Sequence, residues 1–180
     1  TSTSTESVTT TIDISTTTVT STISVTTTIE TSTTTSSSIS IVIPTVVINE
    51  VAWAGTASTR ANDEWFELYN NSDQDIDLTN WKILVSGAQM EFTKINSNII
   101  SAHGYYLLER KEDSVIKDIG ADAVYAYKVP TGFNNSGEKL ELYNSSSQKV
   151  DEVNASGGWF AGDNVKYRSM ERVDPSKDGN

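Results

Sequence analysis

The sequence from Val46 onward predicts an all-β domain of the sandwich or barrel type, and three observations support this fold class. Short apolar runs alternate with polar residues at the period of a β-strand. Turn-forming Asn, Asp, Ser and Gly residues separate these runs roughly every 8–12 residues. All four Trp and all seven Tyr residues lie beyond Ser40, and flat aromatic rings suit the space of roughly 10 Å between packed sheets.

The predicted domain opens with two strands joined by a polar loop. Residues 47–51 are mostly apolar, with one polar pair among them. Residues 63–69 divide their side chains between two faces, and Trp65, Glu67 and Tyr69 share one of these faces. The rest of the domain is organised around this pair of strands.

Further strands follow at short intervals, and their turns carry the usual turn residues. They are predicted at 76–85, 90–95, 105–108, 123–127, 140–143, 149–153 and 167–173. Asn80 marks a turn within the first of these segments. The only stretch that tolerates a helix is 109–117, where Asp113 and Ser114 favour a turn instead.

The first 44 residues, here termed the Thr/Ser arm, differ sharply from the rest. About three quarters of residues 1–40 are Thr or Ser, and Pro44 marks a boundary because proline cannot donate to a β-ladder. We therefore divide the chain into an arm at 1–44 and a β-domain at 45–180. An imperfect repeat of about eleven residues runs through the arm. Its apolar residues share one parity within each unit: Val8, Ile12 and Ile14, then Val19, Ile23, Val25 and Ile29.

Two interpretations of the arm stay open at this stage. Its composition is typical of a flexible, O-glycosylated spacer, because such a tract buries too little apolar surface to offset its ordering entropy. Its parity and its Thr, Val and Ile content favour a β-capable extended arm, which would pair with another sheet edge or another subunit by strand addition.

Composition excludes several functional classes. The chain has 180 residues and no cysteine, which removes disulfides, thiol catalysis and cysteine-ligated metals. A net charge of -11 and a pI near 4.4 oppose binding to nucleic acid or to anionic lipid. No apolar run approaches the roughly 20 residues of a membrane span. Because the sequence begins without Met, we expect a processed product or an excised piece.

Six blocks then occur in order along the domain: INEVAWAGT, NDEWFELYN, IDLTNWKI, ISAHGYYLLER, NNSGEKLELYN and RSMERV. Together they resemble the lamin tail domain of the microbial, exported kind. The resemblance implies an immunoglobulin-like antiparallel β-sandwich that acts as a binding or structural module, outside the cell or at its surface. It implies no catalytic residues and no cofactor. Microbial members usually continue beyond the last block, so we expect a fragment or a short terminal form.

The polar residues that catalysis or metal binding would need are better explained by turns and strand edges. His103 lies in a turn, and no nucleophile-elbow pattern accompanies it. The spacing of Asp73, Asp75 and Asp77, and the segment 174–179, each show only part of a calcium loop. Glu50, Glu64 and Glu67 flank the opening strands, where a carboxylate pair could do acid–base work if burial raised one pKa. Edge charge or backbone hydrogen bonding at the strand loop explains them better. We therefore predict no catalytic residue, no metal site and no enzyme activity.

Two sets of residues carry alternatives of their own. Asn70, Asn134, Asn144 and Asn154 each open an Asn-X-Ser sequon in a predicted turn. These sequons are either glycosylation sites or turn sequences that match the motif by chance. Trp53, Trp159 and Phe160 are either core residues or an exposed aromatic platform for a sugar.

The sequence thus predicts a non-enzymatic extracellular or cell-surface module for adhesion or scaffolding. Its expected partners are a protein, a surface glycan or another copy of itself. The alternative is a subunit of an extracellular filament, in which the arm of one copy completes the sheet of the next.

Overall fold

The computed structural model describes residues 45–126, 132–177 and Gly179, and this part of the chain contains twelve β-strands and no helix. The strands are β1 Val46–Ala52, β2 Trp65–Asn70, β3 Ile76–Asp77, β4 Lys82–Val85, β5 Ala88–Gln89, β6 Glu91–Ile95, β7 Ile99–Ile100, β8 Tyr105–Arg110, β9 Ala123–Ala126, β10 Lys139–Tyr143, β11 Lys149–Asn154 and β12 Met170–Glu171. The predicted all-β class is confirmed. The predicted apolar residues of the Thr/Ser arm, Val8 to Ile29, lie outside the described residues. So does Asp178 of the segment 174–179.

A six-stranded sheet in the order β12-β1-β2-β8-β9-β6 faces a four-stranded sheet in the order β11-β10-β4-β5. β3 and β7 form a separate two-stranded sheet. The inner faces of the two larger sheets share one core, to which Ile48, Phe66 and Leu68 contribute from the first sheet and Val85 and Leu140 from the second. Each fully buried side chain of this type contributes about 1.5–3 kcal/mol relative to exposure.

The opening pair of strands follows the predicted alternation. In β2, Phe66 and Leu68 are buried, while Trp65, Glu67 and Tyr69 on the other face are only partly buried. The register with β1 shifts between Ile48 and Glu50. This bulge inserts one extra residue, which locally bends the strand and increases its twist.

One pair of strands departs from the antiparallel pattern. β8 and β9 run parallel, with Leu108 opposite Ala123, and the other described pairs are antiparallel. A parallel pair requires a crossover, which the segment 111–122 supplies. The buried carboxylate of Glu109 accepts the amides of Val115 and Ile116 at 3.0 and 2.6 Å, and so anchors this crossover.

Some sequence predictions are corrected in detail. The predicted turn at Asn80 is confirmed by a positive φ of 63°, and it divides the segment 76–85 into β3 and β4. The short strands β5 and β7 were not predicted, since two residues carry no periodicity. The segment 167–173 contains only the two-residue β12, because Tyr167 also has a positive φ.

Candidate functional site

A cavity of about 280 Å³ opens at one lateral side of the sandwich, between β4 of one sheet and β6 of the other. It is termed the β4–β6 cleft. Six of the side chains that line it are Trp81, Ile83, Phe92, Ile95, Tyr106 and Leu142. None of the described residues that line the cleft is charged. It is therefore an uncharged surface in a chain whose net charge is -11.

The cleft forms because the chain changes sheets between β5 and β6. β5 pairs with the end of β4 through Leu84 and Val85, and the amide of Met90 donates to the carbonyl of Ile83 at 2.8 Å. β6 then pairs with β9 in the six-stranded sheet. β4 pairs along its whole length with β10, but on its other side β5 pairs only with Leu84 and Val85. On that side the first residues of β4 border the cleft.

The exposure of Ile95 shows that none of the described residues covers the cleft. The partner of Ile95 in β9 is Ala123, whose side chain is buried in the core. Because directly opposed residues of a sheet share a face, Ile95 also points inward, yet 52% of it is exposed. Phe92, opposite the buried Tyr125, lies on the same inner face and is half-buried. A core-facing isoleucine with this exposure indicates an apolar surface without a cover.

The polar groups of the cleft are neutral. The hydroxyl of Tyr106 donates to the carbonyl of Ser97 at 2.6 Å. Burial, with the nearby carboxylate of Asp122, raises the pKa of Tyr106 to about 12, so the phenol keeps its proton at physiological pH. Asn80 and Asn98 lie exposed on the rim. This arrangement can accept an apolar side chain and hydrogen-bond at its rim.

Glu64 and Arg110 form a buried ion pair at another place in the sandwich. Their side chains are both 3% exposed and the pair measures 3.2 Å. The carboxylate also accepts the amide of Phe133 at 2.9 Å. Burial raises the pKa of Glu64 to about 7, against the lowering effects of Phe133 and Arg110. Gly132 has a φ of 74°, and a Cβ there would overlap both charged groups. The pair therefore holds the loop that follows Gly132 beside the start of β2.

Three glutamates form a row across neighbouring strands on the outer face of the six-stranded sheet. Glu50 of β1 lies opposite Glu171 of β12 on one side and opposite Glu67 of β2 on the other. Burial raises the pKa of Glu67, and the charges of Glu50 and Glu171 add to this effect. Asn49 donates to Glu67 at 3.1 Å and Ser169 donates to Glu50. In the described part of the chain, no group of acidic or histidine side chains is arranged to hold a metal ion.

His103 and the three aspartates at 73, 75 and 77 form hydrogen bonds that stabilise turns. Nε2 of His103 lies 2.8 Å from Oδ1 of Asp73, and the backbone of His103 has a φ of 53°. Asp75 accepts the amide of Ala102 at 2.9 Å, and Asp77 accepts the amide of Thr79 at 2.8 Å. Asp73 and Asp75 thus bond to the same turn at residues 102–103, whereas Asp77 bonds within its own turn.

The second acidic candidate also forms a turn. Asp174 accepts both the amide and the hydroxyl of Ser176, at 2.9 and 2.7 Å. These local bonds to the chain lower the pKa of Asp174. The geometry is that of an Asx turn, in which the side chain closes the loop itself.

The four sequon asparagines occupy different environments. All four accept the backbone amide of the serine two residues later, which is again the Asx-turn geometry. Asn134 and Asn154 are exposed, and Asn144 is partly buried. Asn70 is fully buried, and its amide nitrogen donates to the carbonyls of Gln74, Ile100 and Ser101. The burial of Asn70 therefore argues against a glycan at this position of the folded domain.

The aromatic residues near the loops belong mostly to the core. Trp53 is 6% exposed and stacks on Trp159 with ring centroids 5.7 Å apart. The indole of Trp53 donates to the carbonyl of Ala161, and that of Trp159 donates to Asn134. Only Phe160 of the expected platform is exposed, at 57%. This geometry supports the core interpretation of both tryptophans.

Sequence reasoning missed the residues of the β4–β6 cleft. Phe92 and Ile95 were read as ordinary strand residues, because the spacing of a strand does not reveal whether its neighbour is present. In the sequence, the one sign of the cleft is the break in strand alternation after Thr93. It coincides with the register shift between Phe92 and Lys94 that turns Ile95 inward.

The geometry defines an immunoglobulin-like β-sandwich whose polar side chains mainly stabilise turns and join strands. Comparison with known families agrees, because the lamin tail domain model matches residues 40–157. The chain therefore belongs to the lamin tail domain family, whose members are generally non-enzymatic structural or binding modules. No curated protein matches the chain. Within the described residues, no helix has the length and apolar character needed to cross a membrane.

Proposed function

We propose that this protein is a non-enzymatic module outside the cell or at its surface, where it mediates adhesion or scaffolding. Membership of the lamin tail domain family is the observation that carries the proposal, because this family is a non-catalytic fold. The Thr/Ser arm supports surface display, since such tracts are typical of stalks that hold a domain away from its anchor. The lack of cysteine leaves the fold independent of redox conditions.

The partner is a protein or a surface glycan, held by the faces and edges of the sandwich. The buried charges described above do not carry this function, because Glu64, Arg110 and Glu109 are almost completely buried and bonded within the domain. Binding must use exposed groups such as the β4–β6 cleft and the row of glutamates. An acidic chain also associates more readily with cationic or neutral surfaces than with anionic ones.

Surface display is tested by treating intact producing cells with a protease. The proposal expects rapid loss of the full-length chain while a cytoplasmic marker survives. Survival of the chain on intact cells, with digestion only after lysis, would contradict an extracellular position. Adhesion is tested by binding of the purified full chain to the same cells after deletion of their own copy of this chain, with their other surface proteins and glycans intact. Binding no greater than that of an unrelated acidic protein would contradict adhesion.

A second candidate function is a subunit of an extracellular filament built by strand addition. Two observations favour it: the β-parity of the Thr/Ser arm, and the position of β6 at the edge of its sheet with β9 as its only described neighbour. Electron microscopy of concentrated protein should then show homopolymers that disappear when residues 1–43 are deleted. A monodisperse monomer at all concentrations would exclude this candidate and leave the first untouched.

Covalent glycans are expected on the exposed sequons if the producing cell performs N-glycosylation. Asn134 and Asn154 are the favoured positions, because both are exposed on turns. Intact mass measured before and after glycosidase treatment tests this, and an unchanged mass equal to that of the sequence would contradict it.

A further inference from the structure

We propose that the β4–β6 cleft is the acceptor site for residues 19–29 of a second copy of this chain. The added strand lies beside β6, and its apolar side chains enter the space between the sheets. This inference rests on the filament candidate and gives it a location. It concerns which edge receives the arm and which side chains make the contact.

The edge position of β6 in its sheet favours the addition of a strand there. β6 ends the six-stranded sheet, so among the described strands it has a neighbour only in β9. A strand with one neighbour presents backbone N–H and C=O groups to a new partner. Its inner face carries Phe92 and Ile95, both of which line the cleft. Lys94 is on the outer face, where it contacts Asp113 at 3.2 Å, so its charge does not obstruct the cleft.

The side chains of residues 19–29 match the uncharged lining of the cleft. Residues 14–29 contain no charged side chain, and the described residues lining the cleft contain none either. A charged strand would lose its hydration in such a place without gaining a partner. Residues 19–29 instead carry Val19, Ile23, Val25 and Ile29 at one parity and mostly Thr at the other. One face of such a strand is apolar, as the inner side of the cleft requires, and the opposite face suits solvent.

The size of the cleft also favours the side chains of an added strand. Its volume of about 280 Å³ lies below the range of roughly 300–1,000 Å³ that is usual for small-molecule pockets. Its lining includes the exposed Ile95 of β6 and the buried Leu108 and Leu142, which belong to the two facing sheets. A space of this form fits a few side chains that project from an edge strand.

The stretch between residues 19–29 and the domain is long enough to span the distance to another copy. The stretch 30–44 connects residue 29 to the domain and extends to about 50 Å when fully stretched. A domain of this size has a radius of gyration of about 14 Å. The stretch is therefore long enough for residues 19–29 to reach the cleft of an adjacent copy.

The test uses the absence of cysteine from the natural chain. One full-length chain carries Val25→Cys, and a second full-length chain, enlarged by a tag, carries Ile95→Cys. The two are mixed in a glutathione redox buffer and the disulfide-linked products are separated by mass. We expect a cross-linked heterodimer of the two chains, formed at least ten times more than with either control. The donor control is Thr26→Cys, which has the opposite parity, and the acceptor control is Val165→Cys, which is 78% exposed.

Equal cross-linking of the test pair and the controls would overturn the assignment. So would a disulfide within one chain carrying both substitutions, formed at a rate independent of concentration. The latter result would show that the arm occupies the cleft of its own domain. Tryptophan fluorescence of each variant confirms that the domain is folded before the mixtures are compared.

A second measurement needs no disulfide. The double substitution Ile23→Asp with Val25→Asp places two negative charges on the apolar face of the arm strand. The double substitution Ser24→Asp with Thr26→Asp places the same two charges on its opposite face. Sedimentation of the full chain should show self-association weakened at least tenfold by the first pair and nearly unchanged by the second. Equal weakening by both pairs would overturn the inference.

The outcomes distinguish this inference from the functions on which it rests. Homopolymers without the cross-link to position 95 would leave the filament candidate standing and place the acceptor elsewhere. The absence of any self-association would remove both the filament candidate and this site. Neither result bears on adhesion, which is measured by binding to cells.

Discussion

At one lateral side of the sandwich a buried ion pair joins the two sheets, whereas at the other side the sheets part around an uncharged cleft. On the first side, Asp151 of β11 accepts the amide of Ile48 in β1 at 2.7 Å and the guanidinium of Arg172 at 2.6 Å. Arg172 also donates to the carbonyls of Ile48 and Lys177. These bonds tie the segment after β12 to both sheets.

The side closed by Asp151 and Arg172 also has a surface depression, of about 460 Å³, but charged residues line it. They include Glu171, Arg172, Asp174 and Lys177. The β4–β6 cleft has no such residues among those described. A sandwich can thus satisfy one open side with directional bonds from its own chain and leave the other for an apolar cover. The second arrangement suits a surface that receives a partner.

The largest expected effect comes from breaking the closed side. Arg172→Ala leaves the carboxylate of Asp151 buried without its cation, and loss of one member of a buried pair typically costs about 3–5 kcal/mol. We expect the free energy of unfolding in urea to fall by about that amount. Lys177→Ala, whose side chain is exposed on the same side, is the control and should change stability by less than about 0.5 kcal/mol. Similar values for the two variants would show that the pair does not hold this side closed.

The second prediction concerns the other buried ion pair, Glu64 with Arg110. The pKa of Glu64 is raised to about 7, so between about pH 4.5 and 7 the folded chain keeps a proton that the unfolded chain has released. Stability therefore falls as pH rises through this window, by about 3 kcal/mol in total. Urea unfolding at several pH values measures this slope. Glu64→Gln should flatten it, whereas Glu112→Gln, at an exposed residue, should not. A slope that is unchanged in Glu64→Gln would contradict the assignment.

The third prediction compares two buried alanines. Ala155 is fully buried in the core cluster, so Ala155→Val should overpack the core and cost about 1–3 kcal/mol. Ala123 is equally buried but borders the β4–β6 cleft. Ala123→Val can extend into that space and should stabilise the domain by about 0.5–1 kcal/mol, as cavity-filling substitutions do. Thermal unfolding of both variants makes the measurement, and equal destabilisation would mean that the cleft is not open to side chains.

The smallest effect is expected at Ile95, at the mouth of the cleft, and the buried Ile83 provides the comparison. Ile83 is 3% exposed, and Ile83→Ala should cost about 2–5 kcal/mol. Ile95 is 52% exposed in the single chain, so Ile95→Ala should cost less than about 1 kcal/mol in dilute protein. If the cleft is covered by a second copy, that cost should grow with protein concentration. Urea unfolding at two concentrations a hundredfold apart measures the change. A cost that is large in dilute protein would indicate that Ile95 is already covered.

Much of the fold was predictable because the strands alternate clearly. The faces of β2 are those expected from the sequence, since a period of two places Phe66 and Leu68 together regardless of their partners. Asn80 was predicted to turn the chain, and it does so with a positive φ, which asparagine tolerates better than most residues. Local chemistry decides features of this kind.

The candidate site was less predictable, because its features depend on contacts between distant residues. Asn70 looked like an accessible sequon, but the carbonyls of Ile100 and Ser101 surround its amide. Glu64 was expected to be an edge charge or to bond the backbone at the strand loop. It does accept the amide of Phe133, but Arg110, from a different strand, also pairs with it in the interior. Neither partner can be identified from spacing along the chain.

Residue type and spacing within a few residues were enough to establish the all-β class, the strand faces, the turn positions and the resemblance to the lamin tail domain family. The parallel pairing of β8 with β9, the ion pair between Asp151 and Arg172, and the absence of a described strand beyond β6 depend on contacts between distant residues. Periodicity states which side chains share a face, whereas burial depends on which strand lies opposite that face.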